Sequence, residues 1–268
     1  HSAMERVHTA GLQHARRKGL KRWVCFIGVL TWLSCFPTCF GPPVRPAWRA
    51  QREGVRRHGS ANIKDFVPHG AAMFTAGALL GPALDGVSHG NFGVLTYHTP
   101  PPVPILIGSL KLFSTAIWVP PLFGFAGFLI GSLYWLIDDF LQIPKSQRQP
   151  SLSQTLAAVV VFTANYVASG VMSSNQLDVG VIAAILSAWA ILTWRSFDDT
   201  KTGLIVGVMT AVGGTLIEIF LTNAPWWDLY AYTQADFFGV DSWIPWVYFC
   251  GAPAVGCVSR MVRMKLAE

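Results

Sequence analysis

Glu218 stands inside the apolar run Gly203–Leu221, and an ionisable side chain in such a run is a candidate for ion or proton handling. It lies about 15 residues from the start of the run, roughly 22 Å along a helix at 1.5 Å per residue, so it falls in the last third. Asp85 closes another apolar run. Ser173-Ser174-Asn175-Gln176 with Asp178 opens a third. Together these residues frame either a polar mouth at one end of a bundle, as in a small transporter or channel using Glu218 and Asp85, or the ordinary ends of helices.

Two other short segments carry unusual residue types. Trp194 to Gly203 is polar, and its Asp198-Asp199 either caps the following helix or offers a docking surface to a partner. Pro120-Pro121 removes two backbone donors, which makes a kink or marks a helix start. Nothing in the chain supports catalysis: GxxxxGK[ST], GxSxG and HExxH are absent. His69, His89 and His98 form no ligand set. The five cysteines show no CxxC spacing, so packing is their reading rather than zinc or disulfides.

The elements that must position these residues follow from composition. The chain of 268 residues is 52% hydrophobic and 13% charged, with a mean hydropathy of +0.41, far below the ~25% charged residues of soluble domains. Six apolar runs approach the ~20 residues of a membrane-crossing helix. They are Phe66–Leu84, Ser114–Ile137, Leu152–Val171, Val179–Trp194, Gly203–Leu221 and Trp243–Val262. The expected fold is therefore an all-α, multi-pass transmembrane bundle of six spans. Gly124, Gly127, Gly131 and Gly213-Gly214 are small enough to let helices approach closely. Six alternating spans gather Lys145, Arg148, Arg195, Lys201, Arg260, Arg263 and Lys265 on one face. The opposite loops carry Asp178, Asp228, Asp236 and Asp241, with Lys111 as the basic exception. The basic face is the cytosolic one by the positive-inside rule. The aromatic segment Pro225–Tyr232 on the other face fits an interfacial belt.

Residues 1–65 form a separate segment. They hold 12 of the 20 Lys/Arg and carry a net +9, while the remainder carries −3. That distribution points to sorting rather than nucleic-acid binding. A basic stretch to Arg22 precedes the apolar run 23–40, which reads as a secretory signal or as an extra membrane helix. The Arg-rich residues 41–65 read as a transit peptide or as a basic tail; the signal-plus-transit combination resembles the presequence of algae with complex plastids. On that reading the chain could also be a structural subunit of a photosynthetic membrane complex.

The ordered motifs of the body resemble the Insig proteins of sterol regulation. Trp118-Val119-Pro120-Pro121, Gly124, Gly131-Ser132-Leu133-Tyr134 and Asp138 are similar to the family's second-span signature. Phe197-Asp198 with Gly203 resembles its loop between spans four and five. Tyr230 to Phe237, Ser242-Trp243-Ile244-Pro245 and Gly256 to Arg260 resemble its last loop and span. The similarity runs from Phe66 to Arg263. It implies no catalysis and no cofactor, and a bound oxysterol or diacylglycerol-like lipid. Gln176 matches a family glutamine at the sterol pocket, and Trp118, Phe123 and Tyr134 are the accompanying lipid-binding candidates. Asp198, with Asp199, is the candidate partner-binding site, because it matches the loop aspartate that animal members need to hold the sterol-sensing protein Scap in the endoplasmic reticulum. A multi-pass membrane partner and a homo-oligomer are therefore expected, and nucleic acid is not. The basic N-terminus departs from the family and points to a plastid instead. Leu122-Phe123 replace smaller family residues after the Pro-Pro pair and alter the expected pocket.

Overall fold

The computed structural model describes residues 63–268. The readings of the N-terminal segment as signal, apolar run 23–40 and transit-like stretch lie outside the described residues, apart from residues 63–65, which begin the first helix. Six long helices follow one another: α1 (Ile63–Asp85), α2 (Val119–Phe140), α3 (Leu152–Ser174), α4 (Val179–Phe197), α5 (Lys201–Asn223) and α6 (Ile244–Leu266). The sequence spans are all present, with ends shifted by a few residues. The largest shift is at α2: Ser114–Trp118 belong to a strand and a turn, and Pro120-Pro121 occupy the first helical turn, where no intrahelical N–H bond is lost. The pair starts a helix and does not kink one.

Among the described residues, five helices are long and apolar enough to cross a membrane. The sixth, α6, ends in Arg260, Arg263 and Lys265. It nevertheless touches all five others, and a helix shielded by its neighbours need not be apolar toward lipid. The outer helices show the complementary pattern. Along α5, Leu204, Val208, Val212, Leu216 and Phe220 recur every fourth residue and are all exposed, a stripe that fits hydrocarbon. The helices α1 and α2 pack closely through glycine: a Cβ on Gly77 would strike the Phe123 carbonyl, and one on Gly127 the Met73 carbonyl. Gly124 and Gly131 also abut side chains of α1, whereas Gly213 faces open space.

The bundle is not purely helical. Beyond α1 the chain makes a π-helical turn (Gly86–Gly90) and three short strands, β1 (Leu95–Tyr97), β2 (Val103–Ile107) and β3 (Leu110–Thr115); β4 (Tyr230–Tyr232) precedes α6. β1 pairs antiparallel with β4, with Tyr97 opposite Tyr230 and Leu95 opposite Tyr232. These four side chains face inward while Thr96 and Ala231 face out. β2 and β3 form a separate antiparallel hairpin. β1 and β4, of three residues each, are too short to leave a period-2 alternation in the sequence.

Candidate functional site

Polar side chains gather at each end of the bundle. At the basic end Arg260 lies at the centre, itself buried along with its partners Asp138 and Asp198. Its Nε and Nη2 donate to the two oxygens of Asp138 at 2.8 and 2.9 Å, and Nη1 donates to Asp198 Oδ1 at 2.8 Å. Nη2 also reaches Thr200 Oγ1 at 3.1 Å. The guanidinium fork suits this two-carboxylate seat in a way an ammonium would not. Tyr134 donates its hydroxyl to Asp198 Oδ2 at 2.7 Å, and the guanidinium lies 5.0 Å over its ring. One helical turn on, Arg263 donates to both oxygens of Asp139, joined there by Arg148. Three arginines thus face three aspartates drawn from α2, its following loop, the α4–α5 corner and α6.

The corner itself is built around Asp198. Thr200, not either aspartate, is the helix cap: its Oγ1 accepts from the Gly203 N–H at 3.0 Å and donates to Asp198 Oδ1 at 2.6 Å. A Cβ on Gly203 would collide with the Asp198 carboxylate. Asp198 is therefore an internal strut, and a partner would not meet its side chain directly. Asp199, in left-handed conformation (φ 50°) and exposed, pairs with Arg195 on the surface.

At the acidic end two carboxylates sit under tyrosines. Asp85 accepts from Tyr97 and, at 2.9 Å, from Tyr166. Glu218, half-buried, accepts from Tyr230 and Tyr248, and at 3.3 Å from Tyr232. Burial, followed by the Asp85 charge, drives the Tyr97 phenol far above its ordinary pKa. Burial and Glu218 do the same to Tyr230, so both hydroxyls stay protonated donors at any physiological pH. The residues of a transporter reading, Glu218 and Asp85, are thus brought near each other but fully engaged by hydroxyl donors. Asp178 has a local role, capping α4 through the Val181 N–H.

Two buried histidines knit helices together. Ser259 donates to the Gly131 carbonyl at 2.9 Å, so its oxygen is left to accept from His69 Nε2 at 3.0 Å. Ser169 donates to the Tyr166 carbonyl at 2.7 Å and accepts from His89 Nε2 at 2.9 Å. Ser169, His89 and Asp85 follow the order of a hydrolase triad. However, His89 Nδ1 is 3.7 Å from Asp85, and the serine is wholly buried with its proton committed to a carbonyl. No nucleophile is presented. Among the described residues no cluster could hold a metal.

The lipid candidates separate. Trp118 stacks on Tyr230 at 5.5 Å beside the tyrosine cluster. Phe123 lies over Gly81 one turn into α2. Gln176 does not open a helix; it closes α3 in left-handed conformation (φ 57°), and its side chain is exposed. Tyr134 sits at the opposite end, wholly buried, with its hydroxyl on Asp198. The aromatic segment divides as well: Trp226 and Trp227 are exposed as a belt would be, whereas Tyr230 and Tyr232 are buried in β4. Cys250 and Cys257 are free and buried against Thr193 and Phe197, as packing residues should be. The Arg260 centre, the tyrosine cluster and the histidine relays were not legible in the sequence, because each joins residues tens of positions apart. The available signal for Arg260 was its being the single charged residue within the apolar run Trp243–Val262.

Residues 70–263 match the family Insulin-induced protein (INSIG). The chain belongs to the INSIG family. It is 30% identical over 231 residues to insulin-induced gene 1 protein of Rattus norvegicus, covering 85% of this chain and 83% of that protein. With the Gallus gallus protein of the same name it is 32% identical over 157 residues, 59% of this chain and 60% of that one. Its fold resembles the mycobacterial Insig homolog MvINS from Mycobacterium vanbaalenii, with a TM-score of 0.60 at 24% identity over 73% of this chain and 94% of that one. A cross-linked trimer of an MvINS cysteine variant matches with a TM-score of 0.59. This INSIG chain is accordingly a multi-pass membrane protein of a regulatory, non-enzymatic family concerned with sterol homeostasis. The named relatives are animal and bacterial, which gives the plastid reading of residues 1–65 no support.

Proposed function

We propose that this INSIG chain binds a sterol or diacylglycerol-like lipid against its helix bundle and holds a multi-pass sterol-sensing membrane protein in the endoplasmic reticulum. The observation that carries the reading is the strut at the α4–α5 corner. Arg260, Tyr134 and Thr200 hold Asp198 rigidly at the basic end, so the corner has one fixed shape to offer a partner's loops. Asp199 and Arg195 are the exposed groups of that corner. Asp198 and Tyr134 act through shape and not by direct contact.

Lipid recognition is assigned to the acidic end. Trp118 and Phe123 supply apolar surface there, and the exposed Gln176 amide supplies a donor and an acceptor for a lipid hydroxyl. Homo-oligomerisation is part of the proposal, by analogy with the MvINS trimer. The test is lipid mass spectrometry on protein purified in mild detergent. Wild type should retain an enriched sterol or diacylglycerol, and Gln176→Ala should lose it with expression unchanged. An equal lipid complement in both would remove Gln176 from the site. No enriched lipid in either would overturn the lipid reading.

A further inference from the structure

Among the described residues, the β2–β3 hairpin exposes a run of apolar side chains outside the helices. β2 is exposed along its whole length, and Leu106, Ile107 and Leu110 are each more than half exposed. Its base is fixed: the Phe113 ring covers Gly86, and Asn91 Nδ2 donates to the Leu112 carbonyl at 2.8 Å. The tip beyond that base has no partner to bury it, and a lone two-stranded hairpin is at best marginally stable in water. Lys111, beside the tip, is the one Lys or Arg in the loops of the acidic end, where charge patterning otherwise excludes basic residues.

We propose that the tip of this hairpin is a foot set into the boundary between headgroups and acyl chains of the leaflet at the acidic end, with Lys111 reaching a lipid phosphate. The hairpin joins α1 to α2, helices whose outward apolar faces already meet hydrocarbon, so the leaflet surface continues directly beneath it. Its outer strand edges keep unpaired N–H and carbonyl groups, which fixes the depth: such edges are tolerated where water reaches them and not in the hydrocarbon centre. A lysine stem lies along apolar surface while its ammonium turns to the phosphates, which accounts for a basic residue at this position. Trp226, Trp227 and Phe238, exposed on other loops of the same end, have the amphipathic or aromatic character found at that boundary.

The test places a benzophenone amino acid at Ile107 in the full chain, reconstituted in phosphatidylcholine vesicles containing some phosphatidylglycerol. Photolysis and peptide mass spectrometry should find phospholipid adducts on the hairpin. Lys111→Glu should lower their yield at least about fivefold, since losing one basic residue at an anionic surface is alone worth ~1 kcal/mol. Cross-links to a second copy or to another protein would overturn the proposal in favour of a protein interface. So would the absence of any adduct, which would put the tip in water. An unchanged yield in Lys111→Glu would refute the phosphate contact. Because the tip packs on nothing, these variants leave the fold intact and the outcomes stay interpretable.

Discussion

Arg260 and Asp198 share one hydrogen bond, yet removing either is not the same perturbation. Without the Asp198 charge, as in Asp198→Asn, Arg260 keeps its bidentate seat on Asp138. Without the guanidinium, as in Arg260→Met, two buried carboxylates are left facing a site that no longer holds a cation. Breaking a buried pair in that way costs about 3–5 kcal/mol, so Arg260→Met should lower the unfolding temperature in detergent more than Asp198→Asn does; equal losses would mean that the two aspartates do not depend on the same cation. A second residue carries the opposite expectation. Asn165 is fully buried, and neither its amide nitrogen nor its oxygen has a protein partner. Each unmet group costs ~1–3 kcal/mol, so Asn165→Leu should raise the unfolding temperature of delipidated protein. If the variant instead lowers it, the amide has a partner that Leu cannot replace. The sequence offers Asp198 as a partner-facing residue, but its side chain is buried against Arg260, 62 positions away, and no local spacing conveys that.

At the scale of elements, five helices were legible because a membrane-crossing helix needs about 20 largely apolar residues, and hydropathy records that demand directly. The sixth, α6, shielded by the others, was legible from the apolar run that precedes its basic end. Helix starts were legible only where a cap or a proline marks them, and the Pro120-Pro121 pair marks a start that the apolar run had blurred. The β1–β4 pairing was invisible, being a contact between loops more than 130 residues apart. The approach to α6 holds a titratable element of its own. Asp241 is buried just before the helix, near Asp236, and burial followed by that neighbouring charge pushes its pKa up to about 7. The folded state then keeps this proton at pH values where the unfolded chain, titrating near 4, has lost it. Stability contributed by the protonated group is present at the acidic end and falls as pH rises from about 4 to 7. Asp241→Asn should therefore flatten that part of the stability profile and raise the unfolding temperature at pH 8, by ~2–4 °C per kcal/mol recovered. A profile in the variant that still falls over the same interval would assign the titration to another group.

Across the whole molecule the two ends are closed by different chemistry around one central helix. Ion pairs join α2, the α4–α5 corner and α6 at the basic end. Tyrosine hydroxyls and carboxylates join α1, α3, α5 and the start of α6 at the other. The proposed partner site and the proposed lipid site therefore lie about one membrane thickness apart, and α6, which touches every other helix, is the element through which either could sense the other. This arrangement predicts a separation of effects. A lipid that binds only the folded state at a hundred times its dissociation constant adds about 2.7 kcal/mol, so wild type should unfold several degrees higher when the ligand is supplied. Gln176→Ala should lose that shift without a change in its lipid-free unfolding temperature. Asp198→Asn should keep the shift while losing capture of a sterol-sensing partner in a pull-down from solubilised membranes. Should Asp198→Asn abolish the lipid shift as well, at an unfolding temperature still well above the assay range, the two ends would have to be one coupled site, with the Arg260 centre setting the helix arrangement that lipid recognises.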